Sequence, residues 1–302
     1  MSDLTHRLTQ DGRLTIFLFH GVIEPQQHQV RNYTRKHLPA ADFQAMLEGL
    51  ERAGHALSMD DVATTCRSGK PFPKGAFAIT FDDGFENNLT VARPILNRLG
   101  IPATVYVTSR FIDENGMSWI DRIEYAMELV STGILKFPWS QNAFPFTTAA
   151  EKIAILGDIR TQVKSTPDLD VDAFVSDIFR QLDLEEIRSS REQLDQKMTW
   201  DQVRDWCADG FLVGGHSHTH AILSFLSPTQ LEREIDVSLK MMSEKAGIVT
   251  PHYSYPEGLA HCYSEDVIQM LKGRGITCCP TAIDGINQPG ADPFHLRRVM
   301  VS

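Results

Sequence analysis

The chain alternates short apolar runs with amphipathic helical patterns, and this alternation limits the folds that it can adopt. Leu14–Phe19, Ala76–Phe81 and Ala103–Val107 have the length and the branched or aromatic content of buried strands. Between the first two, apolar residues over 43–50 recur at the i, i+3, i+4, i+7 spacing of a helix. Strands that alternate with helices are typical of βαβ units. We therefore expect an α/β fold, either a barrel or a doubly wound sheet.

The alternation stops at about residue 117 and resumes after about residue 195. The segment between them carries three helical stripes with no strand pattern, so we expect a helical insertion that forms a lid or a small subdomain. Beyond it, short strand patterns lie at 211–213, 253–255, 276–279 and 298–301. The sequence thus predicts about seven strands in one domain over 1–302, interrupted by an insertion at 117–195.

Charge and composition exclude several classes of protein. Of the 302 residues, 29 are Lys or Arg and 39 are Asp or Glu, and a net charge of −10 argues against a nucleic-acid partner. No run approaches the roughly 18–20 apolar residues of a transmembrane helix. The early run Leu14–Phe19 is too short for a signal peptide, and Asp3, Asp11 and Arg13 precede it. Five cysteines, with no CxxC pair, indicate reduced thiols, so we expect a cytoplasmic protein. No protein partner is indicated.

Polar residues follow several of the predicted strands. They are His20, the pair Asp82-Asp83, the histidine cluster that begins at His216, and Tyr255-Pro256. Barrels and doubly wound sheets both carry their chemistry in the loops at the carboxyl ends of the strands. Four such strand ends in one chain therefore predict a shared site at this edge.

Two of these strand ends suggest a metal centre. Asp82 and Asp83 project in different directions, so one carboxylate can bind a metal while its neighbour faces a water or substrate; alternatively, they form a polar turn that caps the next helix. His216 and His220 are four residues apart and can converge on one ion, or lie in a polar surface loop. We expect His218 to point away. Two imidazoles and a carboxylate leave an open position, as in catalytic sites.

Together these segments resemble the polysaccharide deacetylases that share the NodB homology domain (carbohydrate esterase family 4), and among them the bacterial exopolysaccharide type. TFDDG at 80–84 is similar to the first motif of that family and HSHTH at 216–220 to the second. YPEG at 255–258 is similar to the third. The resemblance covers roughly 14–110 and 198–300, and it implies a distorted, incomplete (β/α)7 barrel.

The resemblance also implies roles for these residues. Asp82 would be the general base, and Asp83, His216 and His220 would hold one divalent metal ion. Zinc is the default ion for this ligand set, and cobalt, nickel or manganese also fit it. The backbone N–H of Tyr255 would help to stabilise the oxyanion. The substrate implied is an N-acetylated sugar of a polysaccharide or of a glycan precursor.

The catalytic acid departs from the commoner pattern of the family, because no histidine occupies the expected place in the late segment. Phe19-His20-Gly21-Val22 is similar to a motif of the exopolysaccharide type, so His20 is the expected acid, with His295 as the alternative. An ionised base and a protonated acid predict a bell-shaped pH profile. We expect the nearby carboxylates to favour the charged form of His20.

The arginine that orients the base in many family members is also missing from the third motif, and Arg297 or Arg298 could replace it. Trp119, Asp121 and Arg297 are the candidate substrate residues. Three other functions stay open: hydrolysis of another linear or cyclic amide on the same fold, hydrolysis of a phosphodiester, and carbohydrate binding without catalysis. Phosphodiester sites with two metals need more ligands than this set offers.

Overall fold

The computed structural model describes residues 12–302. The expectation about a leader segment rests partly on residues 1–11, which lie outside the described residues. Among the helices of residues 12–302, none has both the length and the apolar character that crossing a membrane requires.

A parallel sheet forms the body of the protein. Its main strands are β1 (Leu14–Phe19), β5 (Ala76–Phe81), β6 (Ala103–Val107), β9 (Leu212–Gly215) and β10 (Val299–Met300). They lie in the order β10-β1-β5-β6-β9, and every neighbouring pair is parallel. The short strand β4 (His55–Ala56) pairs with the start of β5. A second small sheet pairs β2 (Gly21–Ile23) with β3 (His37–Pro39).

Single bridges continue the sheet beyond β9 and bring it back to β10. Gly215 pairs with Tyr253, and His252 pairs with Cys278, both in parallel. The Thr281 N–H then donates to the carbonyl oxygen of Leu296, close to β10. The result is the incomplete (β/α)7 barrel that the family resemblance implies, and not the doubly wound sheet that the pattern of strands and helices also allowed. The segments predicted as strands at 253–255 and 276–279 form only bridges, because the prolines at 251 and 280 lack the N–H that a regular ladder uses.

Helices cover the outside of the barrel, mostly where the periodicity predicts them. They are α1 (Ala40–Ala53), α2 (Met59–Ser68), α3 (Arg93–Leu99), α4 (Ser109–Glu114), α8 (Trp200–Ala208), α9 (Pro228–Ala246) and α10 (Glu265–Gly273). A 3₁₀ turn covers Leu223–Phe225. The helix predicted from Glu86 begins instead as a π-helix over Asn88–Ala92, ahead of Pro94 in the first turn of α3.

The alternation of side chains along the strands directs the site residues into the barrel. In β5, Phe77, Ile79 and Phe81 pack outward in one apolar cluster with α1 and α8, whereas Ala76 and Ala78 belong to a different cluster. Thr80 continues the second set, and a strand has a period of two. Asp82 therefore follows on the inward face.

The insertion has an apolar core of its own. It comprises α5 (Trp119–Leu129), β7 (Gly133–Lys136), β8 (Ala143–Phe146), α6 (Ala149–Ser165) and α7 (Val171–Gln181). The helices enclose a cluster that includes Ile123, Leu156 and Ile178. The antiparallel hairpin β7–β8 corrects the expectation of helices without strands. Its strands have four residues each, which is too short for a periodic pattern to show in the sequence.

We expect Gly215→Ala to destabilise the barrel, because a Cβ at this position would lie 2.4 Å from the ring of the buried Tyr253. Overpacking of this kind costs about 1–3 kcal/mol. Gly157→Ala is the matched control: it lies in α6 with nothing within 4 Å of the added Cβ, and a helical Gly→Ala change stabilises by about 0.5–1 kcal/mol. Urea unfolding measures both. Equal free energies of unfolding for Gly215→Ala and Gly157→Ala would contradict the close contact between Gly215 and the Tyr253 ring.

Candidate active site

Asp82 is held by an arginine at the far end of the chain. Both carboxylate oxygens of Asp82 accept hydrogen bonds of 2.8 Å from the guanidinium of Arg298. Arg298 also donates to the hydroxyls of Thr80 and Ser254 and to the carbonyl of Thr281. Asp82 and Arg298 are both buried. Burial alone would raise the pKa of Asp82, but the Arg298 guanidinium lowers it below its ordinary value, so the carboxylate stays ionised.

Asp83, His216 and His220 converge beside it. One ligand atom from each lies within 4.8 Å of the other two. Asp83 Oδ1 is 3.3 Å from His220 Nε2 and 3.7 Å from His216 Nε2. Asp83 and His220 both have left-handed backbones, with φ of 74° and 65°. These uncommon conformations aim the two side chains back at a common point.

The donor set fits a metal ion. His216 Nδ1 donates to the carbonyl oxygen of Ser254 at 2.9 Å, which leaves its Nε2 free as a ligand. Asp83 Oδ1 is buried and accepts no hydrogen bond from any of the described residues 12–302. A buried acceptor of this kind is costly unless something satisfies it. Two imidazole nitrogens and one carboxylate oxygen are the ligands that catalytic zinc takes, with one position left open. His218 lies apart from the set, with its Nδ1 2.9 Å from the Ser109 hydroxyl.

His20 lines the same cavity as these four residues. The Asn88 side chain, in the π-helix, donates to the His20 carbonyl at 2.8 Å and so fixes the end of β1. Burial lowers the pKa of His20 to about 4, and Asp83 opposes this shift only in part. The carboxylates of Asp83 and Asp82 do favour the charged form of His20, as expected, but desolvation by burial outweighs their attraction.

Two lysines near the site, Lys36 and Lys197, are not identified by the sequence analysis, because neither lies in a motif or in a periodic pattern. Lys36 Nζ lies 2.9 Å from Asp121 Oδ1 and 3.7 Å from Asp83 Oδ2. Lys197 Nζ lies over the Phe85 ring, 3.8 Å from its centre, and Lys36 Nζ lies 4.7 Å from the centre of the same ring. Both carboxylate oxygens of Asp121, a candidate substrate residue, accept hydrogen bonds from Lys36, and one of them also accepts from the Ser118 hydroxyl. Asp121 therefore holds Lys36 in position beside Asp83.

The remaining candidates lie in different places. Trp119 is half-buried in the cavity wall. The phenol of the buried Tyr255 donates to the Phe294 carbonyl, so this side chain does not take part in the cavity. Arg297 is exposed and donates to the Asp284 carbonyl, and the structure does not bring it to the cavity. His295 is exposed and contacts the hydroxyl of Tyr263. Of the two arginines that the sequence offered for orienting the base, Arg297 and Arg298, it is Arg298 that contacts Asp82.

The cavity has a volume of about 200 Å³, and the barrel and the insertion both contribute to it. Its floor carries His20, Asp82 and Asp83, and the insertion adds Arg160 and Lys164. The barrel edge and the insertion therefore form one site.

Comparison with known proteins identifies the family and agrees with the fold. A family model described as polysaccharide deacetylase matches residues 69–279. The deacetylase PplD from Streptococcus pyogenes, solved with acetate, is similar in structure, with a TM-score of 0.61 and 14% identity over 97% of this chain and 93% of that one. IcaB from Ammonifex degensii has a TM-score of 0.61 and 16% identity over 97% and 93%. The BpsB deacetylase domain from Bordetella bronchiseptica has a TM-score of 0.55 and 16% identity over 96% and 97%. No curated protein matches the chain in sequence.

We expect Arg298→Met to lower the free energy of unfolding by about 3–5 kcal/mol at pH 7, because it leaves a buried carboxylate unpaired. The folded-state pKa of Asp82 is lowered, so the ion pair stabilises the fold above the ordinary aspartate pKa of about 3.9, and this contribution is lost as the pH falls below it. The difference between the parent protein and Arg298→Met should therefore narrow in acid. Urea unfolding at several pH values measures it.

The double variant Asp82→Asn/Arg298→Met provides the control. It removes the unpaired charge as well as the arginine, so it should be more stable than Arg298→Met by about 0.5–3 kcal/mol, the range of coupling between contacting residues. Equal stability of the two variants at pH 7 would contradict the role given to the Asp82 charge.

Proposed function

We propose that this chain, which belongs to the polysaccharide deacetylase family, is a metal-dependent hydrolase that removes the acetyl group from an N-acetylated sugar. The observation that carries the proposal is the placement of an ionised Asp82 beside the converging Asp83, His216 and His220 in one cavity. A base next to a three-ligand set with an open position is the arrangement that hydrolysis of an unactivated amide needs.

Asp83, His216 and His220 would hold the metal, and the first ion to test is zinc. When bound, such an ion polarises a carbonyl group and lowers the pKa of water. The protein contributes the orientation: the Ser254 carbonyl fixes the His216 ring, and Lys36 supports the second oxygen of Asp83. These contacts hold the ligand atoms in place before an ion arrives.

Asp82 acts as the general base and takes a proton from the attacking water. Its paired arginine keeps the carboxylate ionised and fixes both oxygens, so the base is charged and oriented at neutral pH. The backbone N–H of Tyr255 is the proposed donor to the oxygen that becomes negative in the tetrahedral intermediate.

His20 is the proposed acid. Burial lowers its pKa to about 4, and the carboxylates of Asp83 and Asp82 act in the opposite direction. In the proposed step the water loses one proton to Asp82, and the leaving nitrogen takes one proton from His20. The proton held by Asp82 equals the one that His20 has given up, so exchange with solvent resets both groups and the balance closes.

The barrel and the insertion together form the proposed catalytic unit, because Trp119 and Arg160 line the same cavity as Asp82. In this unit the indole ring of Trp119 is the proposed surface on which the face of the sugar ring packs. The direct test of the function is acetate release from N-acetylglucosamine and from penta-N-acetylchitopentaose. Activity should disappear with a chelator and return with zinc. Failure to release acetate from either compound with any of zinc, cobalt, nickel or manganese would contradict the proposal.

Asp83→Ala, His216→Ala and His220→Ala should each lose bound metal, because a three-ligand site does not tolerate a missing ligand well. His218→Ala is the matched control and should keep its metal, since this side chain contacts Ser109 instead. Elemental analysis of the purified proteins measures the content. Full occupancy in all three ligand variants would rule out this site.

Two further variants separate the base and the acid from the ligands. Asp82→Asn should keep its metal and lose activity, because only the base is removed. His20→Ala should also keep its metal, with turnover lower by about 10²–10⁴-fold, the usual contribution of a positioned acid or base. His295→Ala should be close to the parent, since that side chain is exposed outside the cavity. A near-normal His20→Ala together with an inactive His295→Ala would place the acid in the late segment.

A further inference from the structure

An ion pair connects the insertion to the barrel at the edge of the cavity. Lys164 Nζ, in the last turn of α6, lies 2.5 Å from Glu257 Oε2, in the loop that follows Tyr255-Pro256. A second contact joins the same two segments, because His261 Nε2 donates to the Lys164 carbonyl at 3.0 Å. Lys164 and Glu257 both line the cavity. We call this pair of contacts the α6 bridge.

The barrel side of the α6 bridge is rigid. Glu257 and Gly258 have left-handed backbones, with φ of 59° and 60°. A Cβ on Gly258 would lie 2.5 Å from the backbone nitrogen of Ala282, and the Ala282 N–H donates to the Gly258 carbonyl at 2.8 Å. The loop therefore packs directly on the neighbouring barrel segment, and it holds the Glu257 carboxylate in one place.

The insertion side is held as well. One turn before Lys164, Arg160 in α6 pairs with the buried Glu124 of α5 at 2.6 Å. Burial alone would raise the pKa of Glu257, but the Lys164 ammonium lowers it below its ordinary value, so the bridge joins two charged groups. The side chains of Lys164 and Glu257 are only 27% and 14% exposed. Because both segments are held in place, this ion pair forms one wall of the cavity.

The cavity behind this wall is small. Its volume of about 200 Å³ lies below the roughly 300–1,000 Å³ of pockets that hold drug-sized ligands. A sugar in the middle of a glycan needs an opening on both sides of the ring, one for each neighbouring unit. A wall on one side of the ring leaves room for a neighbouring unit only on the other side.

We infer that the α6 bridge closes one end of the cavity and restricts the substrate to an N-acetylated sugar that is free or stands at the end of a glycan. This inference rests on the proposed deacetylase function. Lys164 and Glu257 are thus specificity-determining residues, and they exclude internal units by occupying the space that the next sugar would need.

The probe is penta-N-acetylchitopentaose, with mass spectrometry to locate the deacetylated unit. The parent protein should release acetate from a terminal unit and leave internal units acetylated. Lys164→Glu, which repels Glu257, and Lys164→Ala should raise the share of internal deacetylation by about tenfold, the scale on which pocket contacts discriminate between substrates. Lys240→Ala, an exposed lysine paired only with Glu244 on α9, is the matched control and should keep the terminal pattern.

The exchange variant Lys164→Glu/Glu257→Lys rebuilds the pair with its charges reversed, and it should restore the terminal pattern. Thermal melting and acetate release from free N-acetylglucosamine show that each variant is folded and active.

Two results would overturn the inference: internal deacetylation by the parent protein as frequent as terminal, or a terminal pattern that persists in both Lys164 variants. Either leaves the deacetylase function intact. Absence of acetate from both the pentamer and free N-acetylglucosamine would instead contradict the proposed function itself, and the inference with it.

Discussion

The buried ion pair between Arg298 and Asp82 is the interaction on which the site depends. Arg298 comes directly before the last strand of the barrel and reaches Asp82 at the end of β5, with further hydrogen bonds to Thr281 and Ser254. One side chain therefore connects four neighbouring segments of the ring. A buried charge pair of this kind adds little net stability, but an unpaired member is costly. The same pairing that closes the barrel also keeps the proposed base ionised.

Around this pair, the site concentrates buried negative charge at the bottom of the cavity, and the fold compensates it with cations. Arg298 faces Asp82, and Lys36 lies between Asp83 and Asp121. Among residues 12–302, Asp83 Oδ1 is a buried acceptor without a hydrogen bond, and it lies 3.3 Å and 3.7 Å from the imidazole Nε2 atoms of His220 and His216. This unsatisfied oxygen beside two imidazoles is what distinguishes the proposed metal site from an ordinary buried salt bridge.

The insertion forms part of the wall of the cavity and so affects its shape. It folds around its own apolar core, yet Trp119, Arg160 and Lys164 extend to the cavity. The proposed catalytic groups lie at the ends of barrel strands, whereas the insertion contributes part of the cavity wall. A change in the insertion can therefore alter access to the proposed site while the groups at the strand ends stay in place.

The sequence alone determined the parts that depend on local pattern. The apolar runs predicted β1, β5 and β6 with their observed bounds, and the strand-end motifs singled out Asp82, Asp83, His216, His220 and His20, which share one cavity. The tertiary structure decided what depends on distant contacts. The tertiary structure shows that Arg298, and not Arg297, contacts Asp82. Successive residues of an extended segment face opposite sides, and only the packing of the barrel shows which side faces inward. The tertiary structure also turned Asp121 toward Lys36, and it lowered the pKa of His20, because desolvation depends on everything packed around a group and no sequence motif records that environment.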